Sequence, residues 1–314
     1  MLFTKGPLFY LFYNWRLFWF LLTNKSDVLF SNDLDTLLPN YLVSKFRKTP
    51  LIYDSHEIFC EVPELQNTLL KKKIWSALEK KIVPKLKNCI TVNDSIAAYF
   101  KNKYNTPFNV VRNIPTAFNA LKLKSKQELG IPENKTILIL QGAGINIQRG
   151  AEEMVEAMKY VNNAHLYIIG GGDVFDNLKK LVTEFNLTEK VTIKTKMPKS
   201  ELMNFTRNSD IGISIDKDTN LNYHFSLPNK LFDYIQSNIP ILASRLPEIE
   251  NLIKHYNIGC FIDNHEPKHI AEKINFMRDS GLMNEWKTNT GKANAENNWE
   301  TEKKKLINII NALN

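Results

Sequence analysis

The sequence predicts an α/β protein built from two parallel-sheet domains. Strand patterns alternate with helix patterns along most of the chain, which implies parallel sheets covered by helices on both faces. A length of 314 residues suits about two domains. The alternation is also interrupted once, at Asn113–Lys122 (NIPTAFNALK), where Pro115 stops a strand and no apolar period runs; it then restarts.

The first elements are these. Residues 7–22, PLFYLFYNWRLFWFLL, form an aromatic run broken by Asn14 and Arg16. The run is too short for a transmembrane helix, and no small-residue cleavage site follows it. The favoured reading is a helix that buries most of its surface against a sheet. The alternative is an interfacial helix on a membrane, with Arg16 and Lys25 at the headgroups. Strands are expected at Asp27–Asn32, Pro50–Asp54, Cys89–Asn93 and Asn109–Arg112, with helices over 36–47 and 65–87. The lysines at 71–73 and 80–81 read as a solvated face, with an acceptor-binding patch as the minority alternative. Asp33 and Asp35 form a D-x-D, of which one member is expected to cap the next helix. Asp54–Glu57 (DSHE) follows a strand, and the carboxyl ends of parallel strands face the ligand crevice. There His56 can hold a hydroxyl or phosphate, or pass a proton; equally, it can pair with a carboxylate and cap the turn.

After the linker, strand Thr136–Gln141 leads into Gly142–Gly150 (GAGINIQRG) and helix Ala151–Tyr160. A glycine-rich turn at this point lets a ligand approach the backbone. It is not the dinucleotide G-x-G-x-x-G, because the third glycine is misplaced. Strand Ala164–Ile169, the turn Gly170–Asp173, helix 174–186, strand Val191–Lys194, helix Lys199–Arg207 and strand Ile211–Ile215 follow. Tyr223–Ser244, YHFSLPNKLFDYIQSNIPILAS, then reads as loop, helix, stop and buried strand. Ser226 can cap the helix, Pro228 suits its first turn, and Leu231, Phe232 and Ile235 share an apolar face. Asn238 suits a left-handed stop, and Pro240 prevents continuation. Free N–H groups at Asn229, Lys230 and Leu231, with the helix dipole behind them, favour an anion such as a diphosphate. Lys230 adds a positive charge, and Asp233 one turn on can accept from sugar hydroxyls. An ordinary capped surface helix is the plainer reading. Trp299–Leu313 forms a last amphipathic helix.

Charge is uneven. Residues 1–115 hold 16 Lys and Arg against 9 Asp and Glu, whereas the remainder is nearly balanced. A basic first domain points to an anionic partner, either a membrane surface or a lipid-linked phosphate. Nucleic acid is disfavoured, because no recognised module is present. Cys60, Cys89 and Cys260 are far apart and read as reduced residues of a cytoplasmic protein. No metal-ligand spacing occurs, and no metal or cofactor is expected.

PNKLFDY followed by NIPILAS resembles the donor-site helix of glycosyltransferase family 4, and the loop ending in Arg149–Gly150 resembles that family's diphosphate-binding loop. The resemblance implies a GT-B fold of two Rossmann-like domains facing a cleft. It implies boundaries at 1–112 (acceptor side), 113–122 (linker), 123–295 (donor binding) and 296–314 (a helix packing back on the first domain). It further implies a retaining, metal-independent, hexosyltransferase-type enzyme. Such an enzyme moves a sugar from a UDP- or GDP-linked donor to a glycan or lipid-linked hydroxyl acceptor, in cell-surface glycan or polysaccharide synthesis. Gly144, Arg149, Asn229, Lys230, Leu231 and Asp233 would bind the donor, and His56 would sit near the reacting sugar. The protein would be cytoplasmic and peripheral at the inner membrane face. Three departures stand out: Asp233 where Glu is usual, Asn238 where Gly is usual, and Phe225 where fuller motifs carry a second Glu. The family's opening strand and glycine-rich loop have no counterpart, so the first domain is expected to be incomplete. These departures leave open a non-catalytic relative that binds a nucleotide, a glycan or a partner transferase.

Overall fold

The computed structural model describes residues 6–62, 65, 68–117 and 123–313. Residues 118–122 of the expected linker, and residues 66 and 67 of the expected second helix, lie outside the described residues. The chain forms two compact units: Met1–Asn113 with Asn220–Phe225 and Glu302–Asn314, and Ile114–Thr219 with Ser226–Thr301.

The first unit opens with α1 (Pro7–Thr23), then β1 (Leu29–Asn32), α2 (Leu37–Arg47), β2 (Leu51–Ser55), α3 (Leu69–Ile82), β3 (Asn88–Thr91), α4 (Asp94–Tyr104) and β4 (Asn109–Val110). The four strands pair in chain order and all run parallel. The core centres on Tyr53, Leu34, Leu37 and Phe100, and the Phe100 ring stacks on Phe108 at 4.4 Å. Asn93 caps α4 by accepting the Ile96 N–H at 2.9 Å, and Asn105 closes it in the left-handed region. The segment Asn220–Phe225 docks here: Asn222 accepts the Ile58 N–H at 3.2 Å and donates to Glu57 at 3.0 Å. Buried Glu302, on the last helix (Trp299–Asn311), accepts the Arg112 N–H at 2.9 Å.

The favoured expectation for the first helix is not met. No residue of α1 is buried, and Leu8, Leu11, Trp15, Trp19 and Phe20 are exposed. The reason lies in the pattern: apolar and aromatic side chains occupy every face of the helix, and only part of its girth can meet a neighbour. Phe18, Leu21 and Leu22 pack on the core, and Arg47 donates to Leu21 O at 2.9 Å and Asn24 O at 2.7 Å. Asp33 also departs from expectation. Its carboxylate caps no helix and instead accepts the His56 N–H at 3.0 Å, tying two strand-end loops together.

The second unit contains β5 (Thr136–Gly142), α5 (Ala151–Ala157), β6 (Ala164–Gly170), α6 (Phe175–Glu184), β7 (Val191–Thr195), α7 (Lys199–Arg207), β8 (Ile211–Ser214), α8 (Asn229–Gln236) and β9 (Ile241–Ser244). Then come α9 (Pro247–Tyr256), β10 (Gly259–Ile262), α10 (Pro267–Asp279) and α11 (Met283–Glu296), in a stretch where the sequence reading assigned nothing. The six strands are parallel, in the order β10-β9-β8-β5-β6-β7. The chain winds outward from β5 to β7, then returns to β8 and winds the other way. The reversal falls between β5 and β8, and loops diverge there to leave a crevice at the carboxyl ends of the strands. Both faces are covered. Leu138 and Leu140 of β5 face one core, Ile137 and Ile139 the other. This two-sided burial is why TILIL reads as a continuous apolar run rather than an alternating one.

Candidate functional site

α8 is fixed to the sheet at the reversal point. The Tyr234 hydroxyl lies 3.2 Å from Ile139 O on β5 and 3.1 Å from Ile213 O on β8, donating between them. Gly212 makes room for this ring; a Cβ there would meet it at 2.5 Å. The helix closes as expected, with Asn238 at φ 54° and hydrogen bonds from Asn238 N to Ile235 O and from Ile239 N to Tyr234 O, both 3.1 Å.

The helix start differs from expectation. Pro228 stands at the cap instead of in the first turn, and the Ser226 hydroxyl is buried without a hydrogen-bond partner rather than capping. The Leu231 N–H is taken by Pro228 O at 3.1 Å, and the Leu231 side chain is core. Asn229 and Lys230 stand in the first turn of α8, where an N–H has no partner four residues back within the helix.

The loop after β5 interlocks with the turn after β6. Ile145 N donates to Gly171 O at 2.7 Å, Ile147 N to Asp173 at 2.9 Å, and Gly171 N to Gly142 O at 3.2 Å. Gly150, at φ 75°, begins α5, and a Cβ there would meet Ile215 O at 2.3 Å. Gly144 is different: a Cβ would touch nothing nearer than the Asn146 side chain at 3.7 Å. The fold does not require a glycine there, and the bare backbone is open to a ligand.

The loop after β5 and the start of α8 converge on one carboxylate. Asp216, two residues past β8, is wholly buried; its Oδ1 lies 3.2 Å from Arg149 Nη1, and its Oδ2 lies 3.4 Å from Lys230 Nζ. Burial holds the Lys230 ammonium below the usual lysine range, and the neighbouring Arg149 charge adds to this, while Asp216 opposes both. The cluster therefore carries two cations and one anion, next to the positive end of α8.

Asp233 is occupied. Gln141 Nε2 donates to its Oδ2 at 2.7 Å, Lys199 pairs with its Oδ1, and Thr206 holds Gln141 from behind at 2.7 Å. Burial raises its carboxyl above the ordinary range, against the lowering by Lys199 and Gln141. Lys199 is the more exposed of its two partners and so the more readily replaced.

His56 belongs to the first unit, the other six expected site residues to the second. Its Nε2 lies 3.2 Å from Asp54, and that hydrogen bond raises the imidazole above its ordinary value, against partial burial. Glu57, beside it, is held by Asn222. Among the described residues no group of His, Cys, Asp and Glu could hold a metal ion.

The family model for glycosyl transferases group 1 matches residues 122–293, more than half of the chain. The chain belongs to this family. The matched region contains the Gly142–Gly150 loop, Asp216 and the whole of α8; it does not contain His56. Solved structures agree at the level of fold. A glycosyltransferase from Rickettsia africae superposes with a TM-score of 0.76 at 15% identity, covering 99% of this chain and 83% of its own. Sucrose-phosphate synthase from Thermosynechococcus elongatus gives 0.77 at 14%, covering 91% and 73%. Anabaena HepE, solved in complex with UDP-glucose, gives 0.74 at 14%, covering 99% and 85%. The α/β architecture with parallel sheets is thus that of GT-B glycosyltransferases. No curated protein sequence matches the chain.

Within this group 1 glycosyltransferase, the sequence reading missed Asp216, Gln141 and Lys199. The signal for Asp216 was available, since it follows strand Ile211–Ser214 and carboxyl ends of strands face the crevice. Lys199 had no such signal. Its side chain meets Asp233 only because α7 and α8 pack together.

Proposed function

We propose that the protein is a retaining, family-4-like enzyme that moves a hexose from a UDP- or GDP-linked donor to a hydroxyl acceptor in cell-surface glycan or polysaccharide synthesis. The observation that carries the donor assignment is the convergence of Arg149, Lys230 and the first turn of α8 at the sheet's reversal point. Departure of a nucleoside diphosphate places negative charge on its phosphates. Two fixed cations and a helix N-terminus, held before the reaction begins, stabilise that charge without reorganising. Gly144 lets the donor approach the backbone, and Asp233 takes the donor's ribose in exchange for Lys199. His56 is assigned the reacting sugar or the acceptor hydroxyl. The occupied state of Asp233, together with Phe225, favours one second reading, a relative that binds nucleotide without transferring sugar; turnover of a UDP- or GDP-hexose separates the two.

Isothermal titration with UDP and GDP tests the site. Binding by one of them is expected, weakened about 10- to 100-fold by Arg149→Ala, the scale of a charge-assisted hydrogen bond. Absence of binding by both, in folded protein, would overturn the assignment.

The first unit is further assigned to the cytoplasmic face of an anionic membrane. Exposed Trp15, Trp19, Leu8 and Leu11 on α1 offer an interfacial face, and exposed Arg16 and Lys25 flank it. The excess of basic residues before residue 115 supplies attraction of about 1 kcal/mol per residue near the surface. Among the described residues no helix is long and apolar enough to cross a membrane. Co-sedimentation with liposomes should require anionic lipid and weaken with salt. Equal pelleting with neutral liposomes, or with none, would mean self-association instead.

A further inference from the structure

We propose that Asp216 is a positioning residue for the donor site: a buried counter-ion that keeps the Lys230 ammonium charged beside Arg149 when no diphosphate is present. The inference rests on the reading of Arg149 and Lys230 as the diphosphate-binding pair, and it adds the group that lets two like charges wait there together. Its basis is geometric. Asp216 has no exposed surface and meets both cations, at 3.2 Å and 3.4 Å, and the Lys230 side chain is only 12% exposed.

A lysine in this position faces two forces that favour the neutral amine: loss of water and repulsion by the Arg149 guanidinium. A guanidinium cannot release its proton to relieve the repulsion, so the burden falls on Lys230. Among the described residues, Asp216 is the anion seen paired with it. Two neighbouring charges have partners of their own: Lys217 pairs with Glu153, and Asp233, on Lys230's own helix, pairs with Lys199. Without Asp216 both forces would act on Lys230 unopposed and favour the neutral amine in the empty site. With it, the site is charged in advance.

The carboxylate also limits how positive the empty site becomes. It offsets part of the charge of the two cations it meets, so that they are not left buried without a counter-charge. The sequence pattern alone has no second carboxylate for this helix, because Phe225 occupies the position where one was sought. Asp216 supplies a carboxylate from a different element, directed at the cations rather than at the helix acid.

The test follows Lys230 directly, by NMR titration of ε-carbon-labelled lysine, with Lys230→Arg identifying its resonance. In Asp216→Asn the Lys230 midpoint should fall by about one pH unit or more relative to the wild type. An unchanged midpoint in folded Asp216→Asn overturns the proposal. If that variant fails to fold, Arg149→Gln and Arg149→Gln/Asp216→Asn are compared; the double variant removes anion and competing cation together, and its Lys230 should titrate below that of Arg149→Gln. Equal midpoints overturn the proposal here too. The titration needs no nucleotide, so failure of UDP and GDP to bind would sink the donor-site reading while leaving this result to stand or fall separately.

Discussion

In the first unit, His56 and Asp54 meet at 3.2 Å at the end of β2, with the imidazole 43% exposed. In the second, Arg149, Asp216 and Lys230 meet past the ends of β5 and β8 around a carboxylate that water does not reach. The pairings are chemically alike and differ in solvent. An exposed pair exchanges partners with water or a ligand at little cost, so it can be tuned without endangering the fold. A buried one is part of the fold, because removing one member leaves an uncompensated charge. An exchangeable ionic contact and a fixed one are thus found in different units, each where burial permits it.

The largest expected effect comes from breaking the buried cluster. Lys230→Met should cost about 3 kcal/mol or more of unfolding free energy, because Asp216 keeps only Arg149. Adding Asp216→Asn should recover part of the loss. Urea denaturation of the four members of the cycle measures this. Simple additivity would show that the cluster is no more coupled than a surface pair.

A smaller effect separates two glycines of one loop. Gly150→Ala meets Ile215 O in a left-handed conformation and should cost on the order of 1–3 kcal/mol. Gly144→Ala should change stability by less than about 0.5 kcal/mol, yet weaken nucleotide binding. Thermal melts read the first quantity and titration the second. If Gly144→Ala unfolds the protein, or binds nucleotide normally, the loop is structural only.

The smallest effect belongs to His56. Its folded-state value is raised, so its stabilisation is present in full below the unfolded value of about 6.5 and is lost as pH rises through the higher folded one. Water screens the pair, and the amplitude should be a few tenths of a kcal/mol at most. His56→Gln should flatten the pH dependence of stability across that window. A slope unchanged by the substitution would locate the titrating group elsewhere.

Local chemistry accounts for what the sequence by itself determined. Apolar runs at strand length, helices between them, the Asn238 stop and the glycines of the β5 loop each depend on a few neighbouring residues, and each is where the sequence implies. Arg149 and Lys230 likewise stand at element ends, in the loop before α5 and in the first turn of α8. Tertiary structure decided the rest. Asp216 lies between Arg149 and Lys230, 67 residues from the first and 14 from the second, and only the strand order brings the three together. Asp233 is closed off by Gln141 and Lys199, from a strand and a helix whose patterns announce nothing but packing. The exposure of α1 is of the same kind: seventeen residues with apolar side chains on every face fit a buried helix and an interfacial one equally well. What separates the two is how much neighbouring surface exists to cover them, and that quantity belongs to the folded unit rather than to the segment.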